Sequence, residues 1–316
     1  MEDANWPDDE FENPDDFVLG LVKECTPEKA DALQAVIDAY HISFEFDETI
    51  DKVFFKSNAL SGRIRIGVSC MTRLTAHSYA YLSAYYAQLE KAESVLCNIP
   101  VPLDYDKRLR SAFELLTWVM TEDIKHKQHP QNCRLMLNDF PDNLVQLMEA
   151  CLCPGHENIA SQIFSNAIVF ILYHEIVHIQ NGDSKCKGFD SIEQEKQADR
   201  MAASWMLDST EIDPNDKWRR QAGIALALGW LTAPTVYLGP GAMTTHPHAH
   251  DRLFQVIDRV IDHDQPNHNI WMFVQTILML HIYNCDQPID ERRTTGANFR
   301  ENCNYLIDLI SKLPSR

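Results

Sequence analysis

The chain has 316 residues, of which 28 are Lys or Arg and 46 are Asp or Glu, so its formal net charge is −18. This acidic excess argues against a nucleic-acid-binding protein, because phosphate recognition needs a basic surface. A hydrophobic content of 45% supplies enough apolar side chains for a large buried core and excludes global disorder.

The most acidic segment and the longest apolar run of the chain indicate how it is organised. Residues 1–16 hold eight acidic and no basic residues, which predicts a disordered acidic tail, and we expect residues 17–316 to form one domain. The first residues lack the basic and apolar segments of a secretory signal. The longest apolar run, Ala167–Tyr173, is too short to span a bilayer. We therefore expect a soluble, cytoplasmic protein with no membrane partner.

The first predicted helix runs from Thr26 to about Tyr40, because Thr26 can cap it and Pro27 suits the first helical position. Apolar residues alternate with polar ones between His41 and Val68, which predicts strands that form a small antiparallel sheet. Helical periodicity dominates afterwards, with helices expected near 72–95, 107–127, 141–151, 158–181, 190–208, 216–232, 248–262, 268–284 and 298–312. The expected fold class is therefore α+β, with helix predominating.

The helix expected at 158–181 carries the pattern HExxH, from His174 through Glu175 to His178. Two histidines four residues apart project from one helix face, so both imidazoles can reach a single metal ion. Glu175 can then lie beside the metal-bound water and accept its proton.

A zinc site needs a third protein ligand, and the next predicted helix supplies carboxylates. Glu195 and Asp199 share one face of that helix, so we expect Glu195 to be the ligand and Asp199 to orient a ligand histidine. Glu193 is a weaker alternative because it lies off this face. Position 184, where the metzincin pattern requires a third histidine, is Ser184.

A third element, Thr245-His246-Pro247, precedes a helix that carries Arg252. Because the proline fixes a turn, His246 is expected at a rigid bend, where it can donate a hydrogen bond to a developing oxyanion. Arg252 can anchor a carboxylate in the site. Taken alone, this segment also fits a helix start rich in surface histidines.

The order HExxH, ExxAD and THPxxxxR resembles the gluzincin-type metallopeptidases, and Ser161–Asp258 resembles the Lit family of phage-exclusion peptidases. The resemblance covers about a third of the chain. It implies a zincin-like fold with its catalytic core at about 158–262. It also implies one Zn²⁺ per chain, bound by His174, His178 and Glu195, with Glu175 as catalytic glutamate and His246 as the family's downstream histidine.

By the same resemblance, the substrate is a bacterial host protein, elongation factor Tu being the family's known target, cleaved in abortive defence against phage. The enzyme is then expected to stay latent until a phage-derived activator or another regulatory partner protein is present. Two alternatives stay open on the sequence. One is a regulatory peptidase that cleaves a repressor, and the other is a degenerate, metal-stabilised interaction protein.

Overall fold

The computed structural model describes residues 13–47, 55–97, 105–128, 146, 148, 156–183, 189–238, 248–260, 269–285, 287–290 and 298–312. The helices in these ranges are α1 Pro14–Cys25, α2 Ala30–Tyr40, α3 Val68–Cys97, α4 Tyr105–Gln128, α5 Glu157–Asn181, α6 Phe189–Leu207, α7 Pro214–Leu238, α8 Ala249–Val260, α9 Asn269–Tyr283 and α10 Phe299–Ser311. Three strands, β1 Ser43–Asp47, β2 Phe55–Asn58 and β3 Arg63–Gly67, precede α3. The prediction of a predominantly helical α+β fold is confirmed. The helix predicted at 141–151 falls almost entirely outside the described residues.

The acidic N-terminal segment does not end where the sequence suggested. Helix α1 begins at Pro14, Asn13 caps it by accepting a hydrogen bond from the Asp15 amide, and Asp15 and Asp16 lie in its first turn. Carboxylates at a helix N-terminus are stabilised by the helix dipole, so part of the acidic run is a helix start rather than a tail. Residues 1–12 of the predicted tail lie outside the described residues.

Thr26 does not cap the following helix with its side chain. It ends α1, and its hydroxyl lies 2.9 Å from the hydroxyl of Tyr173 on α5. The residue therefore connects the N-terminal helices to the core helix, a role that local sequence could not reveal.

The small sheet has the strand order β1, β3, β2. Strand β2 pairs with β3 antiparallel, but β1 pairs with β3 parallel, so the prediction of an antiparallel sheet is wrong for one of the two pairs. Alternating hydropathy fixes which side chains face the core, but it does not fix the direction in which two strands pair. Strand β3 is central, so β1 and β2 are the two edge strands. The edge strand that contacts α5 is β2.

Helix α5 is the core of the helical body and packs against α1, α3, α6 and α7. Its contact with α7 is very close at Gly223, where an added Cβ would lie 2.5 Å from the Cβ of Asn166 and 2.9 Å from the amide nitrogen of Ala167. Any side chain at this position would push α7 away from α5. Glycine here thus allows the backbones of the two helices to approach.

Among the described helices, α5 is long and apolar enough by length and composition to span a bilayer. However, 72% of its most apolar window is buried inside the protein. The buried core helix of a soluble protein passes the same test of length and composition, so one such helix is weak evidence for a membrane span.

Candidate metal centre

Helix α5 places His174, Glu175 and His178 in its last two turns. The helix ends at Asn181, and Gly182 follows in the left-handed region at φ 64°, where its amide caps the carbonyl groups of His178 and Ile179. Glycine adopts this conformation without steric cost, so the helix ends directly after the second histidine. The HExxH residues therefore lie at the end of a helix whose other turns are held in the core.

Three potential donor atoms converge between α5 and α6. The Nε2 atoms of His174 and His178 are 3.0 Å apart, and the Glu195 carboxylate oxygens lie 3.4 Å and 3.6 Å from them. All three ligand atoms fall within 4.8 Å of one another. Zinc bonds of about 2.0–2.1 Å in tetrahedral geometry separate neighbouring donors by roughly 3.3 Å. This arrangement therefore fits one small tetrahedral cation.

Glu193, the weaker alternative ligand, is placed elsewhere. Its carboxylate forms an ion pair with Lys196 at 2.9 Å, and its side chain is 44% exposed. The structure thus brings Glu195, and not Glu193, to the two histidines.

A buried ion pair supports the first histidine. The Nδ1 atom of His174 lies 2.9 Å from an Asp199 oxygen, and Arg252 donates two hydrogen bonds of 2.7 Å to the same carboxylate. A further nitrogen of Arg252 lies 3.3 Å from Glu195. Asp199 thus lies beside His174, the histidine that it would orient if the sequence prediction is right. The sequence predicts that Arg252 anchors a carboxylate in the site, and the carboxylates that it contacts in the described residues are those of Asp199 and Glu195.

Sequence reasoning missed two groups that contact the motif. The Nδ1 atom of His178 lies 2.8 Å from Asp183, so a second carboxylate orients the second histidine. The backbone amide of Ser57, on edge strand β2, donates a hydrogen bond of 2.8 Å to Glu175. Asp183 follows the helix stop at Gly182, which could have drawn attention to it. Ser57 binds through its backbone, so its side chain gives no clue.

Burial and charge around the centre favour a cation. Burial alone would raise the pKa of Asp199, but the charge and hydrogen bonds of Arg252 lower it to about 2. Burial would likewise lower the pKa of His174, yet the neighbouring carboxylates of Asp199 and Glu195 raise it to about 10. Among the described residues, the four carboxylates that surround the histidine motif are those of Glu175, Asp183, Glu195 and Asp199. The guanidinium of Arg252 offsets one of these negative charges. A divalent cation would offset most of this negative excess, so the donor set fits a metal in charge as well as in geometry.

The third predicted element is only partly described. His246 and Pro247 lie outside the described residues, so the role expected for His246 stays a prediction. The described chain resumes at His248, whose ring stacks on that of His250 with centroids 5.3 Å apart. Arg252, one turn later, reaches the centre as described above.

Comparison with known proteins extends this picture beyond the cluster. The model of the Peptidase U49 family matches residues 64–274, which is more than half of the chain and includes the cluster. The chain belongs to the Peptidase U49 family. The resemblance to Lit-like peptidases inferred from the motifs is thereby confirmed.

A curated relative gives the same indication. The chain is 28% identical over 152 residues to the cell death peptidase of Escherichia coli (strain K12), an alignment that covers 48% of each protein. The chain thus matches about half the length of this relative. No solved structure matches the chain.

Proposed function

We propose that the protein is a zinc-dependent endopeptidase. The observation that carries this proposal is the convergence of His174, His178 and Glu195, whose donor atoms lie within 4.8 Å of one another beside Glu175 of the HExxH motif. Two imidazoles and one carboxylate form the protein ligand set of many catalytic zinc sites, in which one position stays open for water. Membership of a peptidase family supports the same chemistry.

Zinc, when bound, would polarise the scissile carbonyl and lower the pKa of a water molecule to about 7. Glu175 would accept the proton of the attacking water and pass it to the leaving amine. The Ser57 amide, at 2.8 Å, would hold the Glu175 carboxylate in place for this transfer. His246 would donate a hydrogen bond to the developing oxyanion.

Asp183 and Asp199 would act by positioning. Each contacts the Nδ1 atom of one histidine, which leaves the Nε2 atom directed toward the centre. Such carboxylate partners fix the tautomer and the orientation of a ligand imidazole. Arg252 would neutralise Asp199 and hold Glu195, since it lies 2.7 Å and 3.3 Å from these carboxylates.

For the biological setting, we propose cleavage of a host protein in the cytoplasm during defence against phage. The resemblance to phage-exclusion peptidases implies this role, with elongation factor Tu as the implied target and a phage-derived activator as the implied trigger. The name of the relative, cell death peptidase, is compatible with an enzyme that harms its own host.

The test compares new protein N-termini in bacterial cells that express the wild type or Glu175→Gln, with and without phage infection. Metal content is measured on the purified proteins. Glu175→Gln should keep about one zinc per chain, because it removes no ligand. Its activity should fall by about 10²-fold to 10⁴-fold, because it removes the general base. His178→Ala should lose both metal and activity.

The outcomes separate the alternatives. Cuts made only by the wild type support the peptidase, cuts confined to infected cells support latency, and cuts in a repressor favour a regulatory peptidase. If Glu175→Gln protects cells from phage as well as the wild type does, the function lies in binding and the proposal is wrong.

A further inference from the structure

A cavity of about 560 Å³ opens beside the metal centre on the side of the β2–β3 hairpin. Two of its lining residues contact the HExxH motif directly. The Ser57 amide donates a hydrogen bond to the Glu175 carboxylate, and an Asp183 oxygen lies 2.8 Å from the Nδ1 atom of His178. A peptide whose scissile bond lies at the centre can therefore place a neighbouring residue in this cavity.

The described lining of this cavity carries three cationic side chains. They are Lys56, Arg63 and Arg65, beside the carboxylate of Asp183, and the two arginines also pair with Glu45 and Asp47 outside the lining. These three positive charges lie close together in a chain whose net charge is −18 and which therefore repels acidic ligands at long range. A local basic surface in such a chain favours acidic groups only where they can reach these three side chains.

The register of the sheet explains why the three cations lie together. Lys56 pairs with Arg65 across the β2–β3 hairpin, while their neighbours Ile64 and Ile66 are buried. Side chains alternate between the two faces of a strand, so Arg63 and Arg65 share the exposed face with Lys56.

These cations remain able to bind a ligand. Arg63 pairs with Glu45 at 3.1 Å and Arg65 with Asp47 at 3.3 Å, yet both arginine side chains are about half exposed, at 51% and 53%. Both members of the Arg63–Glu45 pair are exposed, and such pairs contribute at most about 1 kcal/mol, so the Arg63 guanidinium can rearrange toward another carboxylate at little cost. Asp47 is only 13% exposed, so Arg65 is held more firmly by its partner. Lys56 is exposed and has no ion-pair partner among the described residues.

We infer that this cavity is a specificity subsite that binds an acidic side chain of the peptide substrate. The inference rests on the proposed peptidase function and specifies its substrate class. Lys56 directly precedes Ser57, whose amide contacts Glu175, and strand residues advance about 3.3 Å each, so the preferred Asp or Glu lies within a few residues of the scissile bond. Lys56 is its main contact, with Arg63 and Arg65 as further donors.

The experiment uses pools of octapeptides that are random except at one position, which is fixed as Glu or as Gln. Cleavage of each pool by the zinc-loaded chain is followed by mass spectrometry. Binding of the same pools, labelled with a fluorophore, is measured by anisotropy on zinc-loaded Glu175→Gln. The binding measurement does not depend on catalysis.

At one or more positions, the wild type should favour the Glu pool over the Gln pool by about fivefold, the value of one exposed charge pair. In Lys56→Glu this ratio should fall to about one or reverse, and in Lys56→Gln it should fall part of the way. Lys217→Glu is the matched control. It makes the same charge change at an exposed position near the start of α7, outside this cavity, and should keep the wild-type ratio.

Equal preference for Glu and Gln at every position, or a ratio that Lys56→Glu leaves unchanged, would overturn the subsite. Selective binding without any cleavage of the pools, together with no cuts specific to the wild type in infected cells, would support the subsite and contradict the peptidase. Cleavage of the pools without a preference for Glu over Gln would support the peptidase and overturn the subsite. The failure of one proposal is thus distinguishable from the failure of the other.

Discussion

His174 and His178 differ from His77 and His281 in their surroundings, although both pairs lie in the helical core. The rings of the first pair have centroids 4.7 Å apart and meet the carboxylates of Glu195, Asp199 and Asp183. Those of the second pair are 6.5 Å apart and fully buried.

The second pair lies among neutral groups and one positive charge. His281 Nε2 lies 2.7 Å from the Tyr81 hydroxyl and 3.2 Å from the Gly229 carbonyl oxygen. Burial lowers the pKa of His281 to about 4, only partly opposed by the Gly229 carbonyl. Burial and the positive charge of Arg73 also lower the pKa of His77. One pair is therefore surrounded by groups that favour a cation, whereas the other is held neutral. Burial of a histidine alone does not indicate a metal site; the carboxylates around it do.

The largest effect is expected from Asp199→Asn, which removes the carboxylate that distinguishes the first pair. Arg252 would lose the carboxylate that accepts two of its hydrogen bonds and keep only Glu195 at 3.3 Å, which costs up to about 3–5 kcal/mol of unfolding free energy. The affinity for zinc should also fall by about 10-fold to 100-fold, since His174 loses its anionic support. Chemical denaturation and metal titration with a competing chelator measure the two changes.

Asp258→Asn is the control for this variant, because Asp258 pairs with Arg300 at a partly exposed position. It should cost less than about 1 kcal/mol and leave the zinc affinity unchanged. Equal effects of the two variants would mean that the charge of Asp199 has no special role.

The second pair predicts a loss of stability in acid. In the unfolded chain His281 takes up a proton near its ordinary pKa of 6.5, but in the folded chain only near pH 4. The stability is therefore fully present above pH 6.5 and is lost as the pH falls toward 4, by about 3 kcal/mol for this residue. Urea denaturation at a series of pH values measures the slope.

His281→Gln isolates this contribution, because it keeps a polar side chain that does not titrate. The difference in slope between variant and wild type should be confined to pH 4–6.5. By contrast, Asp199, with its pKa lowered to about 2, loses its stabilising contribution only below about pH 4. A slope that the substitution leaves unchanged would show that His281 is not held neutral.

The smallest effect is expected from Asp183→Asn, which keeps the shape of the side chain that orients His178. The zinc affinity should fall by about tenfold and the unfolding free energy by about 1 kcal/mol, because the amide oxygen of asparagine can still accept a hydrogen bond from the Nδ1 atom of His178. Asp216→Asn changes an exposed carboxylate paired with Arg219 and serves as the control for metal titration. If both variants bind zinc like the wild type, Asp183 does not orient the ligand.

Much of the centre was accessible from spacing along the chain. The interval of four between His174 and His178, and the shared face of Glu195 and Asp199, follow from the helical repeat alone. These predictions concern residues within one helix, where sequence distance fixes spatial distance.

Other features depend on contacts between distant segments. Ser57 reaches Glu175 across 118 positions through its backbone amide. The parallel pairing of β1 with β3, and the contact of Thr26 with Tyr173, are equally nonlocal. Side-chain patterns do not encode backbone hydrogen bonds or the order of strands in a sheet, so these features could not be predicted.

The sequence by itself therefore determined the helical class of the fold and the residues that form each face of the two helices at the centre, because hydropathy and helical periodicity are local properties. Only the tertiary structure decided which faces meet. It brought Glu195 rather than Glu193 to the histidines and placed Arg252 against Asp199. It also gathered Lys56, Arg63 and Arg65 into one cavity beside Glu175. Those choices depend on close packing of distant segments, such as the approach of α7 to α5 at Gly223, and on the pairing of buried charges.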